Sequence, residues 1–422
     1  MSGISLQGVA AGLQAAGAAE DVGFSSARLQ RLTATFNADI EQGRIPGAVV
    51  LVARKGKVAY FEAMGFKDRD KSLPMQQDSV FRIASMTKPV VAVAALMLLE
   101  EGKLALVDPI SRYLPEFKDL QVGVERVDAA TGQRTLELVP AQRQITVQDL
   151  LRHTSGLTYG PFGDSLVQRM YRENKLMDDQ QTNAEMATKL AAMPLAYQPG
   201  TMFEYSMSTD VMGRIVEVVS GMDLNRFVVE RIARPLGMNS TGFLLTEKDS
   251  SRLALPQNDP VSGLQGVLFA YQIDKPPKWF SGGGGLLSTA ADYVRFCQML
   301  LNGGELEGVR LLSRKSVELM LHDHLPVTVG FGTFTQELGI TAPLPEFGQG
   351  YGLAVGVRNE QGRSPVPGSP GDFYWGGALG TYFWADPQEQ LIAILMLQEI
   401  DMTKRTRYRS VLRNLVYQAL SD

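Results

Sequence analysis

Apolar residues recur along this chain with two periods, and the changes between them predict the order of its elements. Leu29, Leu32, Phe36 and Ile40 follow helical spacing between a Ser25/Ser26 cap signal and Gly43, which predicts a helix. Residues 48–53 form a β-rich run, and Arg54-Lys55-Gly56-Lys57 turns it into residues 58–61, a hairpin. Residues 89–99 (PVVAVAALMLL) are apolar on every side, the mark of a buried helix. Between Val122 and Leu138 two polar-studded runs flank Thr131-Gly132 and predict a surface hairpin. Capping boxes at Thr146-x-x-Asp149 and Thr289-x-x-Asp292 open helices expected to end near Ser155-Gly156 and Asn302. Helical patterns cover 184–192, 210–220 (with Ser208 as cap) and 223–233. Short β-branched or aromatic runs then stand at 351–357, 373–375, 381–385 and 391–397, separated by Gly, Pro or Asp-Pro, before a helix at 405–420.

Strands at both ends with helices between them predict an α+β fold. One sheet would be assembled from the two chain ends and a mainly helical domain inserted between them. The expected division is a discontinuous sheet domain of residues 25–84 and 285–422, a helical domain of 85–284, and a flexible or loosely packed stretch at 1–24.

Composition narrows the functions. The 422 residues are 45% hydrophobic and 20% charged, ordinary for a globular chain. Lys+Arg 41 against Asp+Glu 45 leaves a net charge of -4. No basic surplus exists for phosphates, so no nucleic-acid partner is expected. The single cysteine, Cys297, removes internal disulfides and cysteine-ligated metal sites. The first twenty residues lack a basic n-region, and the longest apolar run falls well short of the ~18 residues of a membrane span. A cytoplasmic protein without a membrane span is expected. Three histidines (His153, His322, His324) leave little for a metal site or a histidine-based triad.

Ser85-Met-Thr-Lys88 stands directly before the buried helix. Chance alone supplies about one Ser-x-x-Lys in a chain of this composition, and two readings fit it. One is a capping serine with a solvated lysine. The other is a serine nucleophile at a helix N-terminus, where free N–H groups meet an oxyanion and a neighbouring amine takes the proton. Tyr205-Ser206 precedes another helix, and its phenol is either core packing or a general base beside a lysine. Trp375-Gly376-Gly377-Ala378 ends a short strand, where glycines permit a bulge or the close approach of a ligand. Ser281 and the glycines to Gly285 lack the ending of a phosphate loop and read as a hinge or a close-packed crossing back into the sheet domain. His322-Asp323-His324 reads as a surface loop, and His153 as bonded to local backbone. No Gly-x-Ser-x-Gly elbow occurs, and no metal or cofactor is expected.

Taken in order, Ser85-x-x-Lys88, Tyr205-Ser206 and Trp375-Gly376-Gly377 resemble the signature of the penicillin-recognising serine hydrolases. The similarity is to the class C β-lactamase-like branch and its family VIII carboxylesterases. Phe81-Arg-Ile-Ala-Ser85, Leu150-Leu-Arg-His153-Thr-Ser-Gly-Leu157, Phe280-Ser-Gly-Gly-Gly284 and the run from Thr381 to Pro387 fit the same pattern. The resemblance implies that Ser85 is the nucleophile and that Lys88 and Tyr205 are its proton-transfer pair. The N–H groups of Ser85 and Ala378 would form the oxyanion hole, and Trp375, Gly376, Gly377 and Met207 would line the substrate site. Trp375 replaces the lysine of the family's Lys-Thr-Gly, and Met207 the asparagine of Tyr-x-Asn. Both departures point away from β-lactams and toward neutral, apolar esters, so that a carboxylesterase acting on short- to medium-chain small-molecule esters is expected, with residual β-lactam hydrolysis. A β-lactamase, a D-alanyl peptidase and an acyltransferase are the alternatives, as is a non-catalytic binding module.

Overall fold

The computed structural model describes residues 13–257 and 276–422. An eight-stranded antiparallel sheet forms its frame. From the N-terminal end come β1 (Gly47–Arg54), β2 (Lys57–Asp68) and β3 (Leu73–Pro74). From the C-terminal end come β4 (Gln349–Tyr351), β5 (Gly356–Arg358), β6 (Phe373–Gly376), β7 (Tyr382–Asp386) and β8 (Leu391–Leu397). Their spatial order is β4-β5-β6-β7-β8-β1-β2-β3. The seam between the chain ends is β8 against β1, with Val50 opposite Leu395 and Leu51 opposite Ile394.

Both central strands are buried at every position, and the reason lies in what covers each face. Val50, Val52, Leu395 and Trp384 share one core with α1 (Ser26–Glu41) and the C-terminal helix. The alternate residues, Val49, Leu51, Ile394 and Phe383, share the other with α2 (Thr87–Glu100), α3 (Ser208–Ser220) and α4 (Ala290–Leu301). Successive strand residues point to opposite faces, so a strand sandwiched between two helical layers reads as a continuous apolar run. The C-terminal helix is α5 (Met402–Tyr417).

Ser25 caps α1 through the Arg28 N–H, and all of Thr87 to Leu98 is buried in α2. The hairpin around Thr131-Gly132 pairs Gln121–Val127 with Arg134–Pro140. Several expectations need correction. The stretch expected to be loose is tied down from Leu13 onward. Ala16 and Gln14 exchange backbone bonds with Val58, and Phe24 has no exposed surface. Residues 1–12 lie outside the described part. The segment 351–357 is two strands joined by a turn, because Ala354 at φ 64° reverses the chain. The helix opened by Thr146 stops at Leu151, ahead of a left-handed His153 (φ 56°). Asp292 completes only half a capping box. Thr289 accepts from its N–H, but its carboxylate turns to Ser240 N and Thr241 Oγ1. Ser208 is the first residue of α3 and not its cap, since its hydroxyl bonds Ser155 and Ser206.

Candidate active site

Ser85 sits one turn ahead of α2, in a short 3-10 helix, Ala84–Met86. The tighter turn follows from Ala84, which takes a left-handed φ of 45°, a conformation an L-residue adopts only under constraint. The constraints are visible on three sides. Ile83 N–H donates to Leu286 O at 3.1 Å, Thr381 Oγ1 to Ile83 O at 3.0 Å, and Tyr293 OH to Met86 O at 2.8 Å. They hold Ser85 half-exposed at the edge of an otherwise buried segment.

Lys88, with no exposed surface, points back from the first turn of α2. Its Nζ donates to Gly283 O at 2.7 Å, to Tyr159 OH at 3.2 Å and to Ser85 Oγ at 3.3 Å. Three acceptors match its three N–H bonds. Nζ also lies 4.4 Å from the centre of the Tyr205 ring, over the aromatic face. The Tyr205 hydroxyl accepts from Trp375 Nε1 at 3.3 Å. Both aromatic residues are buried, at 4% and 1% exposed.

Two residues that the sequence did not single out complete this network. Tyr159 OH donates to Asp210 Oδ2 at 3.3 Å, so a chain of bonds runs from Lys88 through Tyr159 to Asp210. Asp210 Oδ1 accepts from Ser281 Oγ at 2.5 Å and from Gly283 N–H at 3.0 Å. Burial pushes the Asp210 carboxyl up and the Lys88 ammonium opposes it. Burial, and then Asp210, push the Tyr159 phenol well up, so Tyr159 keeps its proton and passes polarisation along the chain. In sequence Asp210 is one more acidic residue in a first helical turn, and Tyr159 falls just past the run ending at Leu157.

His153 behaves differently from its expectation. Its Nδ1 accepts from Ser206 N–H at 3.2 Å, across 53 residues of chain, and its ring packs 4.8 Å from that of Tyr205. Burial and the charge of Lys88 hold it well below its ordinary pKa. It is therefore a neutral ring supporting the tyrosine. His322 and His324 bond the carbonyls of Glu318 and Leu319. Among the described residues no cluster of His, Cys, Asp and Glu could hold a metal.

A cleft of about 50 Å³ opens at Ser85, lined by Tyr205, Trp375, Gly376, Gly377 and Ala378. Phe162 and Phe334, stacked at 4.3 Å, also line it. Met207 is not among the lining residues. It has no exposed surface and forms the N-terminal boundary of α3, so the expected substrate contact is a packing position. The far wall comes from α5, with Arg405 and Arg409. Gly283 explains the glycine run: a Cβ there would lie 2.6 Å from Tyr159 OH and closer still to Asp210.

A sequence profile of the β-lactamase family matches residues 29–418. The chain belongs to the β-lactamase family. An uncharacterized protein of Mycobacterium tuberculosis is 39% identical over 364 residues, 85% of this chain and 87% of its own. Esterase EstB of Burkholderia gladioli is 31% identical over 385 residues, 87% of this chain and 89% of its own. Among solved structures, EstCE1, described as a hydrolase with promiscuous acyltransferase activity, superposes with a TM-score of 0.73. It is 27% identical and covers 93% of this chain and 99% of its own. Within the β-lactamase family the protein is of the class C-like, family VIII esterase kind. Among the described residues no helix is long and apolar enough to cross a membrane.

Proposed function

We propose that the protein is a carboxylesterase that hydrolyses short- to medium-chain esters through an acyl-enzyme on Ser85. The observation that carries this reading is the Lys88–Ser85 contact at 3.3 Å, in a wholly buried lysine whose other bonds go to Tyr159 and Gly283. Ser85 Oγ attacks the ester carbonyl and its proton passes to the Tyr205–Lys88 pair. The Ser85 and Ala378 N–H groups stabilise the oxyanion. The alcohol departs with the proton, and water activated by the same pair releases the acid. The site would lie between a sheet domain of residues 25–84 and 285–422 and a helical domain of 85–284.

The cleft supports small, uncharged acyl groups, since the charges of Arg405 and Arg409 in its far wall are engaged by the Ala378 and Gly377 carbonyls. Trp375 brings an apolar wall without a cation, and its one N–H is already engaged by Tyr205. The Phe162–Phe334 stack adds a second apolar surface to the lining. A second reading, acyl transfer to an alcohol in place of water, is favoured by the likeness to EstCE1.

Ser85→Ala, assayed with aryl esters of increasing acyl length beside a chromogenic cephalosporin, tests the proposal. Ester hydrolysis should vanish with the fold retained, and a fluorophosphonate should label Ser85 alone. Residual cephalosporin hydrolysis by the wild type fits the reading, since the nucleophile and oxyanion hole are shared. Label on another residue, or faster turnover of the cephalosporin than of any short ester, would overturn it.

A further inference from the structure

The peptide joining Gly377 to Ala378 lies in the wall of the cleft, which Arg409 also lines, and its two ends point in opposite directions. Its N–H belongs to Ala378, which lines the cleft with Ser85. Its C=O belongs to Gly377 and points the other way, since no peptide among the described residues is cis. That oxygen accepts from Arg409 Nη2 at 2.8 Å and from Gly380 N–H at 3.1 Å. Arg405, four residues earlier and so on the same face of α5, donates from Nη1 to the next carbonyl, Ala378 O.

Arg409 is an expensive residue to keep there. It is 7% exposed and no carboxylate pairs with it among the described residues. Its remaining polar contact is Thr341 Oγ1 at 3.5 Å, and its Nε has no partner. The ring of Tyr382 lies 5.6 Å away. Burial draws its pKa down to about 10, which still leaves a cation at neutral pH. A buried charge without a counter-ion costs stability unless its hydrogen bonds compensate, and an apolar side chain would pack more cheaply. The adjoining residue is small to admit it: a Cβ on Gly376 would run into the Arg409 guanidinium.

We infer that Arg409 is a positioning residue for the oxyanion hole: from the far wall of the cleft its guanidinium binds and polarises the Gly377–Ala378 peptide at its carbonyl end, aiming and strengthening the Ala378 N–H as a donor. A charge-assisted bond to a carbonyl is roughly twice as strong as a neutral one. Bonds in series through one peptide reinforce each other, so positive charge at Gly377 O draws electron density from the N–H on the other side. The effect grows as negative charge develops on the substrate oxygen, so it acts on the transition state more than on the bound ester. Arg405 holds the following carbonyl and keeps the turn from rotating. The inference rests on the proposed acyl-enzyme at Ser85 and on Ala378 as a donor.

The test compares Arg409→Lys, Arg409→Gln and Arg409→Met with the wild type. The readouts are kcat and KM for an aryl acetate, the rate of inactivation by an aryl phosphonate, and the infrared carbonyl band of the ¹³C-labelled acetyl-enzyme. Arg409→Met should lower kcat about 10- to 100-fold with KM within about threefold, against the roughly 10²–10³ expected when an oxyanion donor is removed outright. Phosphonate inactivation should slow in parallel, and the acyl carbonyl band should move to higher frequency. Arg409→Lys, which keeps a charged donor, should retain more activity than Arg409→Gln. If Arg409→Met does not fold, that Lys–Gln difference decides, and equal activity of the two overturns the inference. A raised KM with unchanged kcat and an unmoved carbonyl band overturns it as well. The two ideas fail separately. Phosphonate labelling of Ser85 with full turnover by Arg409→Met removes the inference alone. An active Ser85→Ala removes the underlying reading.

Discussion

Trp375 offers one hydrogen-bond donor, and the Tyr205 hydroxyl receives it. That single contact ties the strand β6 to the residue at the head of α3, and it gives the replacement of lysine by tryptophan a second consequence. The side chain walls the cleft and also orients the tyrosine. A neutral hydrogen bond contributes about 0.5–1.5 kcal/mol, so Trp375→Phe, which keeps a wall and loses the donor, should lower ester kcat about 3- to 10-fold. The unfolding midpoint should move little. Steady-state kinetics beside a thermal melt would check it, and unchanged kcat would show that the bond does not orient Tyr205. Trp375→Lys removes the indole donor and adds a third cation to the cleft that Arg405 and Arg409 already line, so ester turnover should fall there too. His153, whose ring burial and the Lys88 charge keep neutral, packs on Tyr205 and supports the tyrosine by contact.

At the scale of elements, three of the segments that surround Lys88 are brought against one another by close crossings. The head of α2 carries Ser85 and Lys88, the head of α3 carries Asp210, and the glycine run before α4 supplies the Gly283 carbonyl. Gly282 and Gly283 pass so near α3 that a Cβ on either would overlap Thr209 O or Asp210. Gly284 is different, since its Cβ would meet nothing nearer than 3.8 Å. Gly283→Ala should therefore cost about 1–3 kcal/mol through overpacking and lower kcat at least tenfold as the Lys88 acceptor shifts. Gly284→Ala should be nearly neutral in both. Denaturant unfolding and ester kinetics on the pair would check it, and equal behaviour of the two variants would refute the crossing as the cause.

For the whole molecule, Glu204 is the clearest source of pH dependence in stability. It is 2% exposed, Thr158 Oγ1 donates to one oxygen at 2.8 Å, and the other oxygen has no partner. Burial raises its pKa from 4.5 to about 7, against the lowering effect of Thr158. The folded state therefore holds this proton more tightly than the unfolded chain. Its contribution to stability is complete below about 4.5 and is lost as pH rises through about 7. A shift of that size corresponds to about 3 kcal/mol. Glu204→Gln, which cannot ionise, should lose less stability than the wild type between pH 4.5 and 8, by an amount of that order. Urea unfolding at the two pH values would measure it, and parallel losses in both proteins would exclude Glu204 as the source. Asp292, raised by burial to about 6, acts in the same direction and remains in both proteins.

Local chemistry was enough to read the order of the main elements. Period-two and period-3.6 patterns, the Ser25, Thr146 and Thr289 caps and the wholly apolar run of α2 are properties of neighbouring residues, and they made the α+β order and the split sheet legible. Ser85, Lys88, Tyr205 and Trp375 could be picked out as candidates because their motifs are short and stand in a fixed order, and the structure brings the four together. Folding alone decided the contacts that join distant segments. Tyr159 and Asp210 meet Lys88 from 71 residues away and further, and no spacing rule links them. Met207 was assigned to substrate from its place in a motif, yet α3 turns it into the core. Arg409 lies on an amphipathic helix like any surface arginine, and only the packing of α5 over β6 puts its charge at the carbonyl end of the Gly377–Ala378 peptide. Which polar groups lose water, and which partners they meet when they do, depends on contacts between remote parts of the chain, and those contacts exist only once the chain has folded.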